Sequence, residues 1–264
     1  MTYFLDLFAG IGGFALGARW AGLKFNKHYF SEVDKYAIEV YKKRFPGAVN
    51  LGDINRVGFE DLPGGRWLVA GGFPCQDISV AGRGAGLSGS RSSLWFAMQR
   101  VIRNLRPDFV VIENVGALVR QGLETVLFTL AQIGYDAEWQ DIRASDVGAP
   151  HKRERIWIVA YPCKQERRED SGATLTRKEV ADSENADRWR ADGEDNHRWG
   201  YQEARGCRVE RRGVQHWGSE SGIRRVAHGV PSRVHRLKCL GNAVVPQIPE
   251  LLFRRIKDLW VDAS

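Results

Sequence analysis

The chain has 264 residues, 43% hydrophobic and 27% charged, enough for one large domain or a domain with a small companion. Its net charge of +7 and pI near 9.4 favour an anionic partner, nucleic acid first. The four cysteines, Cys75, Cys163, Cys207 and Cys239, form no Cys-x-x-Cys pair, which argues against a zinc ribbon or disulfide framework and for a reducing, cytoplasmic setting. The N-terminus enters a strand without a basic leader, and no apolar run approaches ~18 residues, so neither signal peptide nor membrane span is expected.

From the N-terminus, Phe4–Phe8 is a predicted strand and Gly13–Ala21 a helix; Tyr29–Val33 is a second strand, and Tyr36–Arg44 a helix ended by Pro46. Further strands are predicted near Val49–Ile54, Trp67–Ala70, Phe109–Ile112 and Ile156–Tyr161, and helices near Ser93–Leu105 and Leu123–Ile133. This alternation predicts a doubly wound α/β sheet, whose ligands sit at the carboxyl ends of strands. After Tyr161 the composition changes: Arg, Glu, Asp, Gly and Asn dominate to about Ser221, with Trp189, Trp199 and Trp217 among arginines. This segment reads either as a solvated insert or as a nucleic-acid surface. Pattern returns at Arg236, and Pro246–Trp260 is a predicted amphipathic helix.

Three motifs fall at predicted strand ends. Gly10, Gly12 and Ala15 fit a Gly-x-Gly-x-x-Ala turn, with Glu32 about 20 residues on at the end of the second strand. The glycines admit close backbone approach and the acid suits ribose hydroxyls; a nicotinamide dinucleotide and S-adenosylmethionine both fit this pattern. Gly71-Gly72-Phe73-Pro74-Cys75-Gln76 places a thiol on a turn after Trp67–Ala70, whereas a structural cysteine would sit inside the strand. Val110–Val115 ends in Glu113-Asn114-Val115. A thiol and a carboxylate at neighbouring strand ends suit covalent chemistry on a ring.

Asp6-Leu7-Phe8-Ala9-Gly10-x-Gly12-Gly13, Gly72-Phe73-Pro74-Cys75-Gln76, Glu113-Asn114-Val115, Arg153-x-Arg155 and Gly241-Asn242-Ala243-Val244-Val245-Pro246 occur in this order. In these motifs the chain resembles the cytosine-C5 DNA methyltransferase family, as a compact bacterial or phage-type member. The resemblance covers 3–161 almost continuously and then 236–260. It implies a Rossmann-like S-adenosylmethionine-dependent methyltransferase sheet with a small, irregular target-recognition region: 1–161 catalytic and cofactor-binding, 162–235 target recognition, and 236–264 returning to the catalytic domain.

The resemblance also implies roles. Cys75 matches the nucleophile that adds to cytosine C6, and Glu113 the carboxyl that bonds N3 and the exocyclic amine. Arg153 and Arg155 match an arginine pair whose second member reaches the ring O2. Phe8, Gly10, Gly12, Glu32, Val33, Asp53, Ile54, Pro74, Leu94, Asn242 and Val244 match cofactor-binding positions, with product S-adenosylhomocysteine and no metal. Ile78–Ser93 resembles the loop that closes over a flipped base, so Gln76, Ser79, Arg83 and Arg91 are expected at DNA. The implied partners are double-stranded DNA, bound by a monomer, and a functionally paired restriction endonuclease. Alternatives left open are the same reaction on transfer RNA, which one branch of the family performs, a silent DNA-binding homologue, and a nicotinamide-dependent enzyme.

The chain departs from the family pattern at three places. His151 replaces a usual Gln, and Ala243 replaces the commoner Ser, which is expected to drop one hydrogen bond near the cofactor. Arg224–Arg233 stands as a shortened form of the Arg-rich motif that organises target recognition. A compact recognition segment predicts a short or relaxed target site.

Overall fold

The computed structural model describes residues 1–58, 62–74, 94–163 and 232–262. In chain order the elements are β1 (Thr2–Leu7), α1 (Gly13–Trp20), β2 (Lys27–Ser31), α2 (Lys35–Arg44), β3 (Val49–Asn50), a 3-10 turn (Ile54–Arg56), β4 (Arg66–Gly71) and α3 (Leu94–Leu105). They continue with β5 (Phe109–Val115), α4 (Leu118–Gln121), α5 (Leu123–Gln132), β6 (Tyr135–Arg143), a second 3-10 turn (Ala144–Val147), β7 (Glu154–Pro162), α6 (Arg233–Asn242) and α7 (Gln247–Asp262). The chain divides into two units, Met1–Pro162 with Val209–Ser264, and Cys163–Arg208. All of these elements belong to the first.

The strands form one sheet in the order β3-β2-β1-β4-β5-β7-β6. β1 pairs in parallel with β2 and β4, β2 with β3, and β4 with β5, whereas β7 runs antiparallel to both β5 and β6. From β1 the chain winds outward through β2 and β3, then returns to place β4 on the other side of β1. The carboxyl ends of β1 and β4 therefore flank the switch point of the sheet, where a crevice opens between diverging connections.

Side-chain alternation divides the core into two layers. Tyr3, Leu5, Leu7, Val69, Val110, Ile112 and Ile158 pack with Trp95, Met98 and Ile102 of α3 and Val126 and Leu130 of α5. Phe4, Phe30, Leu68, Ala70, Val111 and Trp157 face the other way, against Phe14 of α1, Tyr41 of α2, and Phe253, Ile256 and Trp260 of α7. Each fully buried side chain of this size contributes about 1.5–3 kcal/mol against the entropy of ordering the chain. The strands are buried on both faces, which is why they read as continuous apolar runs.

Besides the short α4 and the second 3-10 turn, which are additional, three elements differ from the sequence expectation. The predicted strand Val49–Ile54 stops at Asn50, because Gly52 takes φ +74° and Asp53 then caps the 3-10 turn by accepting from the Asn55 N–H at 2.9 Å. β6 and α6 are additional. β6 is an edge strand in full register with β7, from Tyr135 opposite Pro162 to Arg143 opposite Glu154. Its exposed positions include Asp136, Asp141 and Arg143, and Trp139 is 45% exposed. A polar edge strand of this kind lacks the apolar run that marks the central strands.

Candidate active site

One cavity of about 700 Å³ runs along the carboxyl ends of the strands. Its lining joins residues from the glycine turn, β2, the 3-10 turn, the end of β4, α3, β5, β7 and α6. Among the residues singled out in the sequence, Phe8, Gly10, Glu32, Val33, Asp53, Ile54, Pro74, Leu94, Glu113, Arg153, Arg155 and Asn242 all line it.

At the β1 end the turn is built by unusual backbone. Phe8, Gly10 and Gly12 have φ of +53°, +53° and +88°; glycine meets this without strain, whereas Phe8 is a non-glycine outlier. Glu32 pins the turn: its Oε2 accepts from the Gly10 N–H at 2.8 Å, and Oε1 accepts from the N–H groups of Val33 at 2.8 Å and Asp34 at 2.9 Å. Gly12 has no side chain to cap α1; the buried Asp6 carboxylate lies beneath its first turn, within reach of the Ala15 N–H. Asp34 caps α2 through the N–H groups of Tyr36 and Ala37, an arrangement worth about 1 kcal/mol. The Ser31 hydroxyl donates to Gly52 O at 2.6 Å, and Arg100 of α3 donates to Ile54 O at 2.8 Å. These two bonds hold Asp53 and Ile54 at the cavity.

Beneath the turn lies a buried polar chain. The Tyr41 hydroxyl donates to Asp6 Oδ2 at 2.9 Å, and His28 Nε2 lies 2.7 Å from the same hydroxyl. Burial pushes the Asp6 pKa well up and pulls His28 down to about 4. The Tyr41 hydroxyl thus links the His28 ring to the Asp6 carboxyl in one buried chain. Tyr41 and Phe45 also fill the space under Gly12, where an added Cβ would meet Phe45 at 2.8 Å.

At the β5 end the chemistry differs. Arg155 Nε lies 3.0 Å from Glu113 Oε1, and the two side chains are only 21% and 15% exposed. Burial raises the Glu113 pKa, and outweighs the opposing charges of Arg155 and Arg153. The antiparallel register makes this pair possible, because β7 sets Arg155 opposite Val115 and Trp157 opposite Glu113. Gly72 supplies the space: a Cβ there would lie 2.8 Å from Glu113 Oε2. Asn114 donates from Nδ2 to Phe73 O at 2.8 Å, which ties the end of β5 to the turn carrying Pro74. Cys75 follows Pro74 in the chain and lies outside the described residues, as do Gln76, Ser79, Arg83 and Arg91 and the segment 164–231.

Some placements depart from the sequence picture. Arg153 donates from Nη2 to the carbonyls of Gly241 at 2.9 Å and Ala243 at 2.7 Å. Gly12 and Val244 do not line the cavity; Val244 packs on Gly13, where a Cβ would meet the Val244 Cβ at 2.7 Å. Ser31, Asp34, Lys238 and Cys239 line the cavity without having been anticipated. Lys238 Nζ donates to Asp34 Oδ2 at 2.7 Å, and His235 stacks on Tyr36 with ring centroids 5.4 Å apart. Together they join α6 to the start of α2. No local pattern marks Lys238; its role depends on a contact 204 residues away in sequence.

The fold has known counterparts. A prophage-encoded Escherichia coli protein superposes with a TM-score of 0.51 at 26% identity, over 61% of this chain and 47% of that one. A variant of Spodoptera frugiperda DNMT2 shares the fold, with a TM-score of 0.50 at 21% identity over 64% of this chain and 54% of that one. Type II methyltransferase M.NgoBI of Neisseria gonorrhoeae is 39% identical over 161 residues, 60% of this chain and 50% of that protein. M.HhaI of Haemophilus parahaemolyticus is 38% identical over 162 residues, 60% of this chain and 48% of that protein. The chain thus spans about half the length of the curated relatives it matches. The model of the C-5 cytosine-specific DNA methylases matches residues 2–215, beyond the 3–161 over which the motifs read continuously. By the extent of that match, the chain belongs to the C-5 cytosine-specific DNA methylase family.

Proposed function

We propose that the chain is a DNA (cytosine-5-)-methyltransferase that acts on double-stranded DNA with S-adenosylmethionine, in a restriction-modification or DNA-protection setting. The observation that carries this reading is that one cavity holds both the Glu32-pinned glycine turn and the buried Glu113–Arg155 pair.

The residues present fit the cofactor. A volume of about 700 Å³ is in the range of small-molecule sites. Gly10 lets the backbone approach a ligand closely, and Glu32 with Val33 suits ribose hydroxyls. Phe8, Asp53 and Ile54 are assigned to the adenine, and Gly10, Pro74, Leu94 and Asn242 to the methionine end. When bound, S-adenosylmethionine supplies an electrophilic methyl group for the C5 carbon.

The chain's own groups make C5 reactive. Cytosine C5 is a poor nucleophile until a thiolate adds at C6. In this reading the Cys75 sulfur forms a bond to C6, and the displaced electron pair moves onto the C5–C4–N3 system. Glu113, its carboxyl held toward the protonated form by burial, shares its proton with N3 and offsets the developing charge. Arg155 orients Glu113 and reaches the ring O2. After methylation, loss of the C5 proton breaks the C6–S bond and restores the thiolate. A base within a duplex is out of reach, so the cytosine leaves the stack at a cost of a few kcal/mol. Residues 78–93 are assigned to closing over it and 162–235 to choosing the target.

Incubation with methyl-labelled S-adenosylmethionine and either duplex DNA or transfer RNA tests the reading. Label in DNA supports it; label confined to transfer RNA, or none in either, overturns it.

A further inference from the structure

We propose that Arg153 is a positioning residue. It joins the two ends of the cavity through the Gly241–Val244 linker and thereby sets cofactor affinity, and it does not contact the base. This inference rests on reading the cavity as an S-adenosylmethionine site.

Arg153 precedes β7 directly, two residues from Arg155, and its own backbone takes φ +32°, a conformation that a non-glycine residue adopts only where its surroundings enforce it. The side chain remains near enough to Glu113 and Arg155 to feel both charges, but its hydrogen bonds go elsewhere. Its Nη2 donates to Gly241 O and Ala243 O. Gly241 belongs to the last turn of α6, whose carbonyls lack intrahelical partners. α6 has no basic residue of its own in that turn, so Arg153 supplies from the segment before β7 the cation that a helix C-terminus favours.

The linker continues into the glycine turn. Val244, one residue beyond Ala243, lies so close to Gly13 that an added Cβ would meet its Cβ at 2.7 Å and its carbonyl oxygen at 2.8 Å. Gly13 is the first residue of α1 and adjoins Gly12. A continuous path therefore runs from Glu113 through Arg155 and the β7 backbone to Arg153, across Gly241–Val244, and into the turn that Glu32 pins. Asn242, within the same linker, lines the cavity. The path also explains how Ala243 serves where the family more often has Ser: Ala243 contributes a backbone carbonyl, for which its side chain is immaterial.

The test is calorimetric binding of S-adenosylhomocysteine to the full-length chain and to R153A, R153K and R155A, with steady-state kinetics on methylated product. Loss of hydrogen bonds to a charged donor predicts that R153A binds about ten-fold more weakly or worse. In R153A the cofactor KM rises more than kcat falls. R153K recovers part of the affinity, because an ammonium also donates to carbonyls. R155A does the reverse, losing kcat with cofactor affinity nearly intact. Gly13→Ala displaces the same linker from its other side, so it too weakens binding, and the R153A/G13A double variant loses less than the two single effects combined. Wild-type affinity in R153A, or additive losses in the double variant, overturns the proposal. Absence of binding by the wild-type chain overturns the cofactor reading itself, and this inference with it.

Discussion

Two glutamates occupy opposite ends of one cavity, and their surroundings give them opposite work. Glu32 has three backbone N–H groups on its two oxygens and pins the glycine turn. Glu113 instead sits over Gly72, paired with a single guanidinium, in a place dry enough for burial to outweigh two positive charges. The first is a fixed acceptor, suited to hydroxyl groups. The second favours its proton, which suits a group that must share that proton with a ring nitrogen. The contrast comes from where the strands end. β2 finishes beside the backbone donors of Gly10, Val33 and Asp34, while β5 finishes beside the antiparallel β7, which supplies arginine in place of amides.

The comparison can be broken at the substrate end first. Cys75→Ser is expected to abolish methyl transfer, since a hydroxyl does not replace a thiolate nucleophile at neutral pH, while S-adenosylhomocysteine binding survives. Loss of binding in that variant would make Cys75 a structural residue. Glu113→Gln should lower kcat by about 10²–10⁴-fold. Its stability should move the other way. Because the folded pKa of Glu113 is raised, the stability linked to its proton is full below the ordinary glutamate value and is lost as pH rises through the folded value. Glutamine has no such loss, so above the usual carboxylate range the E113Q melting temperature should equal or exceed wild type's. A marked drop there would mean that the pair with Arg155 outweighs the burial.

Smaller effects sharpen the same contrast. Gly72→Ala places a methyl 2.8 Å from Glu113 Oε2, the far end of a side chain that can swing aside. The fold should persist while the misplaced carboxyl lowers kcat by up to ~10²-fold; unchanged kcat would show that Glu113 tolerates displacement. Glu32→Gln retains one oxygen for three amide donors, so cofactor affinity should fall by about ten-fold, with kcat at saturating cofactor nearly unchanged. A kcat loss comparable to that of E113Q would erase the distinction between the two acids.

How far the sequence reveals this depends on whether a feature is local. β1, β4, β5 and β7 are runs of apolar residues buried on both faces, and their positions follow from composition alone. The positive φ at Gly10 and Gly12 was readable because glycine marks such turns. β6 was not, since its alternation is between charged and half-buried residues at an open sheet edge. Nor was α6, whose apolar residues Val234, Leu237 and Leu240 stay exposed and form no buried stripe. In sequence the resemblance gives Arg155 the ring O2 but does not say what Arg153 meets. Only the positive φ before β7 and the arrival of Gly241–Ala243 separate one that meets Glu113 from one that meets the linker. Such roles are tertiary, carried by contacts 88 and 90 residues apart.

In the proposed function this cavity serves C5 methylation of cytosine in DNA by way of Cys75. Bisulfite sequencing of DNA from cells expressing the chain tests it most directly. The account predicts protected cytosines in one short sequence context, present with the wild-type chain and absent with Cys75→Ser. Conversion of every cytosine in both samples, or protection that survives the substitution, would contradict it.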